Sequence, residues 1–164
     1  MQAVKSKNSQ IELALGKALW TRGLRYRKND RTVIGKPDFV FKKHKIAVFC
    51  DSEFWHGKDW EVRKNDLKSH QEFWIAKIER NIERDKEVNE KLISEGWSIL
   101  RFWGKRIMKD AERCADEVEV KFRKNSEMKN KTSLPATHYL SNYDSAELIS
   151  KAAEDEHPYG SSPL

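Results

Sequence analysis

The segment that most constrains the fold is residues 35–56, GKPDFVFKKHKIAVFCDSEFWH. Two apolar runs, residues 39–41 and 46–49, flank a basic segment, and this pattern predicts two short strands joined by a tight turn. Asp38 precedes the first strand and Asp51 follows the second, so antiparallel pairing would bring both carboxylates to one edge of the sheet. Such carboxylates suit Mg²⁺, which binds through one or two of them together with a substrate phosphate. The alternative is that the two residues only begin a turn and end a strand.

The charge of the chain is unevenly distributed. The net charge is +6, but residues 1–124 carry 29 basic and 20 acidic residues, whereas residues 125–164 carry three lysines and six acidic residues. A basic folded part that also holds six tryptophans favours a nucleic acid over a membrane surface as the partner. The polar composition of residues 125–164 predicts a tail with one short helix around residues 145–153.

Composition argues against several classes of protein. No apolar run approaches the roughly 18 residues of a membrane span, and residues 1–10 lack the apolar stretch of a signal peptide. Cys50 and Cys114 are the only cysteines, too few for a disulfide framework or a four-thiolate zinc site. We therefore expect a cytoplasmic protein without a membrane partner, built as one domain.

Helical and strand patterns alternate along residues 1–124. Ser9 and Glu12 form a capping box before the first helix, and Ser69 and Glu72 form another before the second. Apolar spacing and glycine stops give the other bounds: helices over residues 10–22, 69–94 and 106–124, and strands over residues 24–28, 39–41, 46–49 and 97–103.

Some polar residues fall on surfaces predicted to be buried. Asn81 and Asp85 are four residues apart on the apolar face of the second helix, where a polar group must be paired or functional. A hydrogen bond to a neighbouring loop is the simpler explanation, and two such residues together favour a site. Glu12 is explained by its capping box, and a role in the site is the alternative.

Large aromatic residues lie on or beside a polar loop. Phe54, Trp55 and Trp60 border residues 57–68, a stretch too charged for a buried element and long enough for a binding loop. The three rings either pack over the edge of the hairpin or contact nucleic-acid bases.

Five sequence blocks lie within residues 6–105: SKNSQIE at 6–12, GKPDFVF at 35–41, FWH at 54–56, EFWIAKIERNIERD at 72–85 and GWSILRFW at 96–103. In sequence and in order, these blocks resemble the very-short-patch repair (Vsr) mismatch endonucleases. The resemblance implies the restriction-endonuclease-like α/β fold of the PD-(D/E)XK superfamily, with a central mixed β-sheet flanked by helices.

The resemblance also implies roles for individual residues. Asp38 matches the metal-binding aspartate, and the backbone carbonyl of Cys50 matches a second metal ligand. His56 matches the catalytic histidine, and Glu12 and Asp85 match acidic residues around the metal-bound waters. Phe54 and Trp55 match aromatic residues that wedge into the duplex, and Asn81 is included among the site residues.

The chain departs from the family pattern at two places. Asp51 stands where the family has a second histidine, and an alternative register would make Asp51 and Glu53 the two acidic positions of a D-x-E motif. The family's structural zinc ligands are replaced by Glu53, residues 57–60 and Gly104, so we expect no structural zinc. Because the loop that recognises the mismatch differs most, a preference for T·G mismatches does not follow from the resemblance.

The expected activity is Mg²⁺-dependent hydrolysis of a phosphodiester in double-stranded DNA, with Vsr-like nicking that leaves a 5′-phosphate. Asp38 and the strand end at Cys50 and Asp51 would hold the metal, and His56 would act as general base or proton shuttle. Four lysines could contact phosphates: Lys36, Lys42, Lys43 and Lys45. The alternatives are a restriction-type or phage-associated endonuclease with the same core, and a non-catalytic DNA-binding module. We expect a monomer.

Overall fold

The computed structural model describes residues 9–132, of which residues 9–126 form one compact unit and residues 127–132 continue the last helix. The helices are α1 (Gln10–Thr21), α2 (Trp60–Arg63), α3 (Gln71–Ser94), α4 (Gly104–Lys109) and α5 (Ala111–Thr132). The strands are β1 (Arg27–Lys28), β2 (Phe39–Phe41), β3 (Ile46–Asp51) and β4 (Ser98–Trp103). Short 3₁₀ turns cover Lys42–His44 and Lys64–Asp66.

The four strands form one mixed sheet in the order β1-β2-β3-β4. The pairs β1/β2 and β2/β3 are antiparallel, and β3 pairs with β4 in parallel. The parallel pair requires a long crossover, which α3 provides. The predicted hairpin and the predicted mixed α/β fold are therefore confirmed.

Both faces of the sheet are covered, because alternate residues of a strand point to opposite faces. On one face, Phe39, Phe41, Ile46 and Val48 pack with residues of α1, α4 and α5. On the other face, Val40, Ala47 and Phe49 pack with Val33 and with Val88 and Leu92 of α3. Residues 46–50 of β3 are apolar, which allows the strand to be buried on both faces. The strand ends at the buried Asp51.

Several predicted boundaries are correct. α1 begins after a complete capping box formed by Ser9 and Glu12 and ends before Gly23, whose φ is +76°. α3 ends at Ser94, as predicted. No helix in the described part of the chain has the length and apolarity needed to span a bilayer.

Other predicted boundaries are wrong. α3 begins at Gln71 after His70, whose side chain makes no capping bond, so the predicted capping box of Ser69 and Glu72 does not start it. The single helix predicted over 106–124 is two helices, because Asp110 interrupts it and its Oδ1 accepts a hydrogen bond from the backbone N of Arg113 at 2.9 Å. That bond caps the start of α5, which continues to Thr132 and so into the predicted tail. The short helix predicted around residues 145–153 lies outside the described residues.

Candidate active site

The carboxylate of Asp38 lies at the end of β3. Asp38 immediately precedes β2, and its Oδ2 accepts a hydrogen bond from the backbone N of Cys50 at 2.7 Å. Asp51, the last residue of β3, is only 5% exposed. The two carboxylates predicted to share one edge of the sheet are therefore at that edge.

The charge on Asp38 is poorly compensated by the protein. Burial, together with the nearby charges of Glu12 and Asp51, raises the pKa of Asp38 to about 6, against the opposing effects of the Cys50 N–H and His56. Glu12 is itself buried, and its Oε1 accepts a bond from the Ser9 hydroxyl at 2.9 Å. Glu12 therefore caps α1 and also lies near Asp38.

Asp51 is paired with an arginine that the sequence analysis did not identify. Nη1 of Arg101 lies 3.0 and 2.9 Å from the two carboxylate oxygens of Asp51. Arg101 is opposite Phe49 in the β3/β4 register, and its guanidinium carbon lies 4.1 Å from the centre of that ring. Because Phe49, Asp51 and Arg101 share the sheet face that α3 covers, Arg101 also donates from Nε to Asn89 at 3.0 Å. A lone arginine within an apolar strand was the signal available in the sequence.

His56 joins this network through Asp85 of α3. Nδ1 of His56 lies 2.5 Å from Oδ2 of Asp85 and 3.7 Å from Oδ1 of Asp51, and Nη2 of Arg101 lies 3.6 Å from Asp85. Burial lowers the pKa of His56, but the hydrogen bond to Asp85 and the charge of Asp51 outweigh it and raise that pKa. Burial raises the pKa of Asp85, but His56 and Arg101 outweigh it and lower that pKa. An ionised Asp85 only accepts, so Nδ1 carries the proton in this bond, and in the neutral ring Nε2 is the nitrogen with a free lone pair.

The loop that carries His56 is held by its own turns and by α3. The backbone N of His56 donates to the carbonyl of Ser52 at 3.1 Å. Asn81 donates from Nδ2 to the carbonyl of Trp55 at 3.1 Å, the loop hydrogen bond that the sequence offered as one explanation for this residue. Gly57 has φ +63°, and a Cβ there would lie 2.5 Å from Ile82. The glycine therefore lets the loop lie directly on α3.

The aromatic residues before His56 form a partly exposed cluster. Phe54 and Trp55 contact each other edge to face at 5.1 Å between centroids, and each contacts Trp74 at 5.7 Å. Phe54 is 42% exposed. Trp60 lies further along the loop, where its Nε1 donates to Glu79 at 3.4 Å.

The four candidate lysines are divided between two places. Lys36 lines the same cleft as His56. Lys42, Lys43 and Lys45 lie in the turn between β2 and β3, at the opposite end of the hairpin from Asp38. There Lys42 donates to Thr32 at 2.6 Å, and Lys45 donates to the carbonyl of Glu95 at 2.8 Å.

Protein ligands for a metal are few. Within residues 9–132, no group of three or more His, Cys, Asp or Glu residues is arranged to hold a metal ion. Glu53, one of the residues at the family's zinc positions, accepts a bond at Oε1 from the backbone N of Lys105 at 2.7 Å. This bond joins the His56 loop to the start of α4.

Comparison with known proteins identifies the relatives of this chain. A family model described as DNA mismatch endonuclease Vsr matches residues 1–62. The type II nicking enzyme V.NmeDIP of Neisseria meningitidis serogroup C is 60% identical over 118 residues, which are 72% of this chain and 80% of that protein. The type II nicking enzyme V.HpaIIP of Haemophilus parainfluenzae is 57% identical over 115 residues, 70% of this chain and 82% of that protein. The DNA mismatch endonuclease Vsr of Escherichia coli (strain K12) is 32% identical over 117 residues, 71% of this chain and 74% of that protein.

The chain belongs to the Vsr family. The resemblance inferred from the five sequence blocks is thereby confirmed, and the mixed sheet with flanking helices agrees with the restriction-endonuclease-like core expected of a Vsr protein. The roles that the Vsr resemblance implies for single residues stay predictions. The structure brings three of those residues, Asp38, His56 and Asp85, to one edge of the sheet, together with Asp51, which departs from the family pattern.

Proposed function

We propose that this chain is a metal-dependent DNA endonuclease that hydrolyses a phosphodiester in one strand of duplex DNA. The observation that carries the proposal is the meeting of Asp38, Asp51, His56 and Asp85 at the end of β3. Membership of the Vsr family and the nicking enzymes among its relatives support nicking over cleavage of both strands.

The residues fit a magnesium site made of Asp38 and the backbone carbonyl of Cys50. Mg²⁺ needs only one or two carboxylates beside waters and phosphate oxygens. Burial, with Glu12 and Asp51 nearby, raises the pKa of Asp38 to about 6, and a bound cation would favour its ionised form. The N–H and C=O of a residue in an extended strand point to the same side of the strand. Because the Cys50 N–H points to Asp38, the Cys50 carbonyl is on that side as well. The ion pair with Arg101 supports Cys50, and not Asp51, as the second ligand.

Bound Mg²⁺ would supply positive charge to the scissile phosphate and acidify a water molecule. His56 would accept a proton at Nε2 from the attacking water or return one to the leaving oxygen, while Asp85 keeps the other ring proton on Nδ1. Arg101 holds Asp51 and Asp85 in place and so fixes the orientation of the imidazole.

We also expect no structural zinc. The bond from Lys105 to Glu53 gives the loop a connection that a shared metal would otherwise make. Elemental analysis of the purified protein is expected to find no stoichiometric zinc, and a chelator is expected to leave the thermal midpoint unchanged. One tightly held zinc ion per chain would contradict this expectation.

The test compares a matched duplex with a duplex of the same sequence that contains one T·G pair, each in excess enzyme with Mg²⁺. A mismatch endonuclease produces a single nick with a 5′-phosphate and reacts faster with the T·G duplex. Equal rates or cleavage of both strands would favour a restriction-type endonuclease with the same core. Tight binding without any product would indicate a non-catalytic DNA-binding module.

A further inference from the structure

A cleft of about 530 Å³ opens beside His56. One wall is the loop that precedes Asp38, residues 31–36, and the other wall is α3 with Arg84, Asp85 and Val88. Phe49 and Arg101 of the sheet also line it. The cleft therefore leads from the surface to the reactive histidine.

The shape of the cleft depends on a glycine. Gly35 has φ +75°, and a Cβ at this position would lie 2.4 Å from Cγ1 of Val88. No real side chain tolerates so short a contact, so only glycine lets the loop meet α3 at this point. The two walls are consequently held together at a fixed place.

The cleft has an excess of positive charge. Arg101 is neutralised by Asp51, and Asp85 is bound to His56. Among the residues that the structure describes, Arg31, Lys36 and Arg84 form no ion pair, and Arg31 and Arg84 are exposed at the rim. Three cations in one cleft repel one another unless an anion joins them.

The rest of the lining is apolar. Val33, Ile34, Phe49 and Val88 contribute to the walls, and Ile34 is 44% exposed. A cationic rim above an apolar wall suits an alternation of phosphate and deoxyribose. An unstacked base would instead need acceptors as well as donors for its edge, and Asp85, the acidic residue in the lining, is already bound to His56.

We propose that this cleft holds the sugar–phosphate backbone of the cleaved strand beside the scissile phosphate, with Arg31 and Arg84 contacting the flanking phosphates. The proposal rests on the nicking function given above and adds two DNA contacts to it. Such contacts fix the register of the strand without recognising its sequence. They place the scissile bond at His56.

The first test measures the salt dependence of duplex binding without divalent metal. Each phosphate contact contributes about 0.9 to the slope of log K against log salt, so Arg31→Gln and Arg84→Gln are each expected to reduce the slope by about 0.9, and the double variant by about 1.8. Lys86→Gln is the matched control, because Lys86 lies two residues from Arg84 on a different side of α3 and pairs with Glu83. An unchanged slope in the double variant, with its thermal midpoint intact, would overturn the proposal.

The second test locates the contacts by replacing single phosphates with neutral methylphosphonates. At the phosphate held by Arg84, the replacement is expected to weaken binding by the wild type and to have no further effect on Arg84→Gln. Additive losses at every position would overturn the proposal. The proposal would also be overturned if Arg84→Gln weakened binding to intact DNA but not to DNA with an abasic site at that position, because Arg84 would then contact a base.

Nicking by the wild type is measured separately. If the wild type nicks normally and the variants have unchanged salt slopes, the cleft does not bind the DNA backbone, but the proposed nicking function stands. If the variants have reduced slopes and the wild type does not nick, the cleft binds DNA, but the proposed nicking function is wrong.

Discussion

The two ends of the β2–β3 hairpin carry charge in different ways. At one end, Asp51 is buried and Asp38 is partly buried, and their neighbours Arg101 and His56 come from other elements. At the other end, the turn lysines are exposed, and Lys42 and Lys45 donate to Thr32 and to the backbone carbonyl of Glu95 at the end of α3. Burying charge costs stability unless each group is paired. The acidic end therefore carries a cost that a hairpin with only a structural role would not need.

The largest expected effect separates the two ends directly. Asp38→Ala is expected to abolish Mg²⁺-dependent nicking with little change in duplex affinity, because it removes a metal ligand and not a phosphate contact. Lys43→Gln at the turn has the reverse pattern if it contacts phosphate: weaker binding and an unchanged rate in the saturated complex. Single-turnover rates and binding curves measure both. Nicking at the wild-type rate by Asp38→Ala would remove this residue from the site.

The next effect concerns His56. His56→Ala is expected to lower the single-turnover rate by about 10²–10⁴, the usual contribution of a general acid or base. As a base, His56 must be neutral, so the wild-type rate should fall as the pH drops below a pKa that lies above the ordinary value for histidine. The variant should lose this limb of the pH profile. If His56→Ala nicks at the wild-type rate between pH 6 and 9, His56 is not the general acid or base.

The third effect is on folding. Arg101→Met leaves Asp51 buried without its partner, and removal of one member of a buried ion pair costs about 3–5 kcal/mol. The control is Asp51→Asn with Arg101→Met, which removes both charges and should recover part of the loss. Urea unfolding measures the three proteins. A single variant as stable as the wild type would mean that the pair does not hold this edge together.

The smallest effect tests the aromatic cluster. If Phe54 and Trp55 insert between bases, truncating both should weaken duplex binding by about 1–3 kcal/mol per base contacted. The exposure of Phe54 predicts less destabilisation than the roughly 3–5 kcal/mol of a buried aromatic residue. Thermal melts and binding curves on the same variant distinguish the two roles. A large fall in melting temperature with normal binding per folded molecule would assign the cluster to the core.

The features predicted correctly from the sequence depend on residues that are close together in the chain. The apolar runs on either side of residues 42–45 indicated the hairpin, and the Ser9 and Glu12 spacing indicated the cap of α1. Contacts between distant segments were missed. Arg101 reaches Asp51 only through the parallel register of β3 and β4, which no local pattern specifies.

Two further failures have the same cause. The turn lysines and Lys36 have the same charge in the sequence, and only the direction of the hairpin separates them. Arg31 and Arg84 are far apart in the chain and meet at one cleft because Gly35 lets the loop approach α3. The resemblance to Vsr proteins assigned His56 and Asp85 to the site separately, and helical periodicity had placed Asp85 on a buried face, but the contact between them appears only in the fold.

The most direct test of the central claim uses one duplex labelled on both strands, incubated with excess wild-type protein in Mg²⁺ and in chelator. The account predicts that one strand is broken in Mg²⁺, that its complement stays intact, and that neither strand is broken in chelator. Undiminished cleavage in chelator, or a fully bound duplex that stays intact in Mg²⁺, would contradict the assignment of the acidic end of the hairpin as a metal-dependent nicking site.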